Sequence, residues 1–296
     1  MTVISQFHKI QQWALVGVAI GSAGLLQAGV SFHTLNATDP TSANSQAIAT
    51  QGGLLVGETD LGNKVWLDNK KVRVAADGTF ILGFGRDAST AELRIELENG
   101  EQQIESIKVQ ARKYNIERVD GLPPAKVNPK GEAVLKRIRE EAAQVKDVRT
   151  RDDDRQDFKA GFIWPAKGRI SGVYGSQRVL NGEPKWPHFG LDIAAPKGSK
   201  VVAPAPGIVT WVASDMYYSG GTLIIDHGHG LSSTFLHLSE ILVRQGQAVE
   251  QGSLVAKIGA TGRATGAHLD WRINWFNVRL DPQRLVDDLK VVKEKQ

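Results

Sequence analysis

Short runs of alternating apolar and polar residues recur between Gly52 and Ala111, and turn-forming pairs separate them. A period of two is typical of strands with one buried face. The runs that predict strands are residues 64–67, 72–74, 79–82 and 93–97. Asp-Gly and Asn-Gly pairs, which favour tight hairpin turns, lie at 77–78 and 99–100. The pattern predicts a small, immunoglobulin-like β-sandwich over residues 51–113.

A helical period replaces the alternation further along the chain. Residues 130–146 are rich in Ala, Glu, Lys, Leu and Arg, and Val134, Ile138 and Ala142 recur every four positions. A rigid Pro-Pro pair precedes this segment, and a charged run at 149–155 follows it. The three aspartates of that run lack the spaced oxygen ligands of a calcium loop. The run is therefore interpreted as a solvent-exposed, charged connection. Residues 114–160 are therefore predicted to be a connector that contains one helix.

Closely spaced apolar runs predict a second β domain from Phe162 onward. They lie at 200–203, 207–212, 221–226, 233–236 and 254–258, with Gly- and Pro-containing turns between them. This pattern predicts a compact, mostly antiparallel domain over residues 161–290. The chain as a whole is predicted to be mainly β, with a small N-terminal sandwich, a helical linker and an antiparallel C-terminal domain.

The N-terminus has the order of parts of a secretory signal. Residues 13–26 are apolar or small and carry no charge; His8 and Lys9 precede them, and Gln27-Ala28-Gly29 follows. Extended to Val30, the run reaches about 18 residues, the borderline length for a membrane span. Residues 1–30 therefore predict a signal peptide or a membrane anchor. A buried N-terminal helix is the alternative, disfavoured because a small, polar linker at 31–50 follows. Either export signal places the rest of the chain outside the cytoplasm.

The composition of the chain excludes several classes of functional site. The 296 residues fit two modest domains, and 41% of them are hydrophobic, which is enough for two cores. A net charge of +4 is compatible with binding to an anionic wall polymer or membrane. The sequence has no basic patch interleaved with aromatic residues, so no nucleic-acid partner is predicted. The chain has no cysteine, so disulfides, Fe–S clusters and thiolate ligands are excluded. Any metal ion must be held by His, Asp or Glu.

Five of the seven histidines lie between residues 188 and 268. His268 and Asp270 are two apart on a predicted strand, so both side chains face the same side, about 6–7 Å apart. His188 and Asp192 are four apart, and an extended strand would separate them by about 13 Å. Gly190 lies between them and permits a bend through which both side chains converge on one ion. These spacings permit a metal site.

The order of these segments resembles the LytM, or lysostaphin-like, zinc metallopeptidases of the M23 peptidase family, over about residues 162–286. The likeness rests on the segments 169–175, 188–196, 203–209, 226–231, 235–239, 246–252, 258–262 and 266–271. The resemblance implies an antiparallel β metallopeptidase domain with one zinc ion per chain, other divalent ions being alternatives. It also implies hydrolysis of peptide bonds in the stem or cross-bridge peptides of peptidoglycan.

The resemblance implies a role for each matching residue. His188 and Asp192 correspond to the first two metal ligands, and Asp270 stands where the family has a third, histidine ligand. A carboxylate is an acceptable zinc ligand, but a site of one His and two Asp should select zinc less strictly and admit manganese or similar ions. His237 and His268 match two non-ligand histidines, whose implied roles are to deprotonate metal-bound water and to stabilise the tetrahedral intermediate.

Other residues take secondary places in this interpretation. Tyr174 and Arg178 precede the His-x-x-x-Asp segment and are candidate substrate contacts. His227 and His229 lie between glycines in a predicted hairpin turn, where a structural role is favoured. The glycine-rich segment 259–266 has no surrounding βαβ unit, so it is interpreted as a turn that positions His268 and not as a nucleotide loop.

The predicted partner is peptidoglycan, with the membrane through the N-terminal segment and other cell-wall enzymes as further candidates. The predicted location is the periplasm, or a membrane-anchored position facing the cell wall. Two other interpretations stay open: a non-catalytic LytM-like protein that binds the wall or activates an amidase, and a structural protein of the envelope.

Overall fold

The computed structural model describes residues 30–33 and 48–286. The predicted signal peptide or anchor, apart from its last residue, and most of the predicted linker lie outside the described residues. Within that linker, Ser31–His33 form a strand that pairs with Leu54–Glu58. No helix of the described ranges is long and apolar enough to cross a membrane.

Strands dominate the described chain, which confirms the mainly β prediction. The helices are α1 (Pro124–Val127) and α2 (Glu132–Val148), and short 3-10 turns occupy Asp157–Ala160 and Pro282–Leu285. The strands, in chain order, are β1 (Ser31–His33), β2 (Leu54–Glu58), β3 (Lys64–Leu67), β4 (Lys70–Val72), β5 (Thr79–Gly83), β6 (Thr90–Glu96), β7 (Gln102–Lys108), β8 (Ile116–Val119), β9 (Arg169–Gly172), β10 (Gln177–Leu180), β11 (Glu183–Pro184), β12 (Leu191–Ala194), β13 (Lys200–Val202), β14 (Gly207–Met216), β15 (Gly220–Asp226), β16 (Leu231–Ile241), β17 (Ala248–Val249), β18 (Leu254–Ile258), β19 (His268–Trp275) and β20 (Val278–Leu280).

Two sheets form the N-terminal part. One has the order β1-β2-β5 and the other β4-β3-β6-β7. Strand β6 shows the cause of the sandwich, because Ala91, Leu93 and Ile95 are buried while Glu92 and Arg94 between them are more exposed. Strand β5 is buried along its whole length. A Cβ at Gly83 would lie 2.8 Å from Cβ of Trp275, so this strand also packs against the C-terminal domain.

Helix α2 confirms the helical period at 130–146, shifted by two residues at each end. It buries no side chain of its own. Polar contacts hold it instead: Arg137 donates to the carbonyl of Asp215 at 2.6 Å, and Glu141 accepts from the backbone N–H of Tyr217 at 2.8 Å. The helix therefore lies against the β14–β15 turn of the C-terminal sheet.

A ten-stranded, antiparallel sheet forms the C-terminal domain, with the main path β17-β14-β15-β16-β19-β12-β9. Strand β19 lies between β16 and β12, and Asp270 pairs with Leu236 on one side and with Asp192 on the other. Directly paired residues of neighbouring strands point to the same face. Leu269, Trp271 and Ile273 are fully buried on the opposite face. The core thus anchors one face of β19 and leaves the other for chemistry.

Candidate metal centre

Three side chains meet at the pairing of β12 with β19: His188, Asp192 and Asp270. Each offers one ligand atom, and these atoms lie within 4.8 Å of one another. Nε2 of His188 is 3.1 Å from Oδ1 of Asp192 and 3.6 Å from Oδ2 of Asp270. Two atoms bound to one ion at about 2.0–2.2 Å in tetrahedral geometry would be about 3.3–3.6 Å apart. The spacing fits a single metal ion.

The absence of hydrogen bonds from described residues to two of these atoms also indicates a metal site. Nε2 of His188 and Oδ1 of Asp192 are buried and make no hydrogen bond of acceptable geometry among the described residues. Buried polar atoms normally have hydrogen-bond partners, so buried atoms that lack partners and converge on one point indicate a binding site for an ion. The donor set of one imidazole and two carboxylates suits a divalent cation.

Charge interactions dominate the titration of the three residues. Burial opposes the charged form of His188, but Asp192 and Asp270 outweigh it and raise the pKa of the imidazole. Burial likewise opposes ionisation of both carboxyl groups. His188 and Arg178 nonetheless hold the pKa of Asp192 below its ordinary value. Arg272 and His188 hold the pKa of Asp270 well below its own.

Two arginines contact the carboxylates directly. Nε and Nη2 of Arg272 donate to the two oxygens of Asp270 at 2.9 and 2.6 Å, a bidentate pair. Nη2 of Arg178 donates to Oδ2 of Asp192 at 2.7 Å. Gly190 leaves room for the first pair, because a Cβ there would collide with Oδ1 of Asp270 and lie 2.9 Å from Cγ of Arg272. The glycine between His188 and Asp192 therefore serves close packing as well as chain direction.

Two histidines stand beside the cluster. The ring centroids of His237 and His268 are 4.7 Å apart, and Nε2 of His268 lies 3.9 Å from Oδ1 of Asp192. Nδ1 of His237 is 2.8 Å from the carbonyl of Thr261, and Nδ1 of His268 is 2.9 Å from that of Gly266. A carbonyl only accepts, so in the neutral imidazoles the proton is on Nδ1 and the lone pair on Nε2. Burial lowers the pKa of His237 to about 4.

A β-bulge orients His237. The pairing of β15 with β16 slips between Gly221↔Leu238 and Leu223↔Phe235, so β16 carries one extra residue there. His237 has φ 64°, in the left-handed region that non-glycine residues rarely adopt. Its backbone N–H is held by the carbonyl of Ser219 at 2.8 Å. The bulge brings the ring against His268; such strain is typical of functional sites.

Of the remaining candidates, Arg178 contacts the cluster, whereas Tyr174, His227 and His229 lie elsewhere. Tyr174 is 2% exposed, and its hydroxyl donates to the carbonyl of Arg279 at 2.8 Å, so it is a packing residue and offers no surface to a substrate. Arg178 faces the centre itself. His227 and His229 are buried outside the cluster; Nδ1 and Nε2 of His227 lie 2.6 and 2.8 Å from Pro206 and Ser233.

Two arginines on the face of the cluster were not identified from the sequence. Arg272 and Arg149 reach the same face as the cluster from β19 and from the end of α2. No motif distinguishes them, although Arg272 lies two positions after Asp270 on the same strand and the period of two could have suggested it.

The family comparison agrees with this geometry. Residues 186–282 match Peptidase family M23. A crystal structure from Pseudomonas aeruginosa, assigned to peptidase M23, superposes with a TM-score of 0.63 at 28% identity and covers 81% of this chain and 96% of that one. The shared fold therefore extends beyond the residues of the family match.

Two sequence relatives come from Vibrio cholerae. The peptidoglycan DD-endopeptidase ShyB is 38% identical over 36% of this chain and 24% of its own length. The peptidoglycan DD-endopeptidase ShyA is 39% identical over 29% of this chain and 20% of its own length. The chain thus spans about a quarter or less of these relatives. With the cluster in the matched region, residues 186–282 of this chain form a Peptidase family M23 domain.

Proposed function

We propose that this protein is a metal-dependent endopeptidase that hydrolyses peptide bonds in the stem or cross-bridge peptides of peptidoglycan. The observation that carries the proposal is the convergence of His188, Asp192 and Asp270, with His237 and His268 beside them. The relatives named as peptidoglycan DD-endopeptidases support the substrate class. Peptidoglycan lies outside the cytoplasm, so an exported protein, periplasmic or membrane-anchored, accompanies this proposal.

In this proposal His188, Asp192 and Asp270 hold one divalent ion, zinc or a harder ion such as manganese. When bound, the ion supplies Lewis acidity and lowers the pKa of a coordinated water. Two carboxylates make the donor set more anionic than a set of two imidazoles and one carboxylate, which supports a less selective site. Arg272 then orients Asp270, as hydrogen-bonding neighbours of metal ligands do.

His237 and His268 are the proposed proton-handling groups. Because carbonyls hold Nδ1 of each ring, Nε2 of each is the atom available to take a proton from the nucleophile and, once protonated, to donate to the developing oxyanion. The lowered pKa of His237 keeps that ring neutral at pH 7 and hence ready to accept. His268 lies nearer to Asp192, at 3.9 Å, where an imidazolium formed during the reaction would be stabilised.

One observation favours a second candidate, a non-catalytic protein that binds the wall or activates an amidase. The bidentate Arg272–Asp270 pair and the Arg178–Asp192 pair already neutralise both carboxylates. Such a face can be stable without a cation. In that case Asp270 remains paired with Arg272 and peptidoglycan is bound but not cut.

The test is mass spectrometry of purified peptidoglycan after incubation with the full-length protein. Wild type is compared with Asp270→Asn and with Asp60→Asn, a control at an exposed position of the N-terminal sandwich. Each protein is incubated with zinc, with manganese and with a chelator. New peptide fragments from wild type and the control, absent with the chelator and with Asp270→Asn, support the endopeptidase. Sedimentation with peptidoglycan but no fragments under any metal would reject it in favour of the second candidate.

A further inference from the structure

Four arginines lie around the face that carries the metal centre, and two of them make ion pairs with carboxylates among the described residues. Arg178 pairs with Glu117 and Asp192, and Arg272 pairs with Asp270. The other two are Arg149 and Arg279, for which the described residues provide hydrogen bonds to neutral oxygens and no ion pair.

Three of these arginines form a continuous group beside Asp270. Arg272 pairs with Thr234 on β16, and Nη2 of Arg149 donates to the Thr234 hydroxyl at 3.2 Å. Arg279 pairs with Asn274 on β19 and donates to its side-chain oxygen at 3.3 Å. Paired residues share a face, and Arg272 and Asn274 are two apart on one strand, so all three arginines lie on the side of the sheet that carries Asp270.

Arg149 makes no ion pair with a described carboxylate and is the member with an unpartnered nitrogen. It is only 6% exposed, and its Nε is buried without a hydrogen-bond partner among the described residues. Burial, Arg279 and Arg272 hold its pKa well below the ordinary value. A buried cation among like charges is costly unless an anion joins it. The side chain of Arg272 keeps 23% of its surface exposed, which leaves an open side to the group.

We propose that Arg149, Arg272 and Arg279 form a subsite for a free carboxylate of the substrate peptide, a step that rests on the proposed endopeptidase function. Guanidinium groups match a planar carboxylate with paired N–H donors. Arg272 lies two residues after Asp270 on one strand, a distance of about 6.6–6.8 Å. The three arginines are therefore separated from the metal centre by about the length of two or three residues of an extended substrate peptide. The recognised peptide therefore carries its carboxylate within that distance of the bond to be cut.

Arg149 gives this subsite an unusual origin. It ends helix α2 and lies outside the matched residues 186–282. The contacts of Arg137 and Glu141 with the β14–β15 turn hold the helix in place. Specificity for the carboxylate would thus come partly from the connector and partly from the family domain.

The test measures binding, so that it is independent of catalysis. Isothermal titration compares N-acetyl-L-Lys-D-Ala-D-Ala, which has a free C-terminal carboxylate, with the same peptide as its C-terminal amide. The full-length protein is titrated as isolated and again with a chelator, so that hydrolysis does not consume the peptide. The variants are Arg149→Gln and Arg279→Gln, and Arg244→Gln, an exposed arginine of the same domain, is the matched control.

Wild type and the control should bind the acid about tenfold or more tightly than the amide, as expected for a charge-assisted hydrogen-bonded pair. Either variant should reduce that ratio toward one. Equal binding of acid and amide by wild type, or a ratio that survives both substitutions, would overturn the inference. The wild-type comparison needs no variant to fold.

Inorganic phosphate, titrated alone, distinguishes a general anion site. Weak phosphate binding supports recognition of a peptide carboxylate. The inference of a peptide-carboxylate subsite would be overturned if phosphate bound as tightly as the acid peptide and lost that binding in the same variants. Hydrolysis without any acid preference rejects this subsite alone, whereas acid preference without hydrolysis rejects the proposed endopeptidase alone.

Discussion

His227 should make the stability of the C-terminal domain depend on pH. The residue is fully buried, with its ring edge-on to Phe162 at 5.2 Å between centroids. Its Nδ1 lies 2.6 Å from the carbonyl of Pro206, and its Nε2 lies 2.8 Å from the hydroxyl of Ser233. The carbonyl only accepts, so Nδ1 donates and Nε2 accepts from the serine. The neutral ring is therefore satisfied, and protonation would place a charge in the core.

The size of the effect follows from the pKa. Burial lowers the pKa of His227 from 6.5 to about 4. Between these values the unfolded chain binds more protons than the folded one, so the free energy of unfolding rises with pH. The contribution is fully present above the unfolded pKa of 6.5 and is lost as pH falls toward 4. A difference of about 2.5 pKa units corresponds to about 3 kcal/mol.

Urea titrations at a series of pH values from about 7.5 to 4.5 measure this contribution. Tryptophan fluorescence reports mainly on the C-terminal domain, because five of the seven tryptophans lie between residues 164 and 275. Wild type should lose stability steeply below pH 6.5. His227→Gln should be less stable at neutral pH and show a shallower decline.

Ser233→Ala is the control for the lost hydrogen bond. It keeps the imidazole, so it should lower stability by about 1 kcal/mol while retaining the wild-type slope. Burial also lowers the pKa of His229 and of His237 to about 4, so some slope should persist in His227→Gln. The same slope in wild type and in His227→Gln would refute the reasoning.

Three further predictions concern the metal centre. Asp270→Asn should weaken binding of a divalent ion by about tenfold or more, because the cluster loses one of its two carboxylates; competition with a chromogenic chelator measures this. His237→Gln and His268→Gln should each slow hydrolysis by about 10²–10⁴-fold with unchanged metal content, measured by fragment release and elemental analysis; a parallel loss of metal would contradict their non-ligand role. Gly190→Ala should destabilise the domain by about 1–3 kcal/mol because its Cβ meets Asp270, whereas Gly266→Ala, with open space around it, should change the urea midpoint little.

Local patterns were sufficient for much of the fold. The alternation at β6 reports directly which face of the strand is buried, and the four-residue spacing on α2 predicted the helix, although its Val134 and Ile138 are only half-buried and Ala142 is exposed. The strand expected at 72–74 instead ends at Val72, within β4. Strands β2 and β7 were not predicted; one is almost continuously buried, and the other is mostly exposed. The domain boundaries and the roles of the site residues remain predictions.

By itself, the sequence determined which residue types were available to the site: no thiolate, and histidines with aspartates at spacings of four and two. Only the tertiary structure decided which of them meet. Asp192 joins Asp270 through the register of β12 with β19, and His237 turns toward His268 through a bulge and a positive φ. Arg149 reaches Thr234 across 85 positions of sequence. Such contacts depend on strand register and packing between distant segments, which local periodicity does not encode.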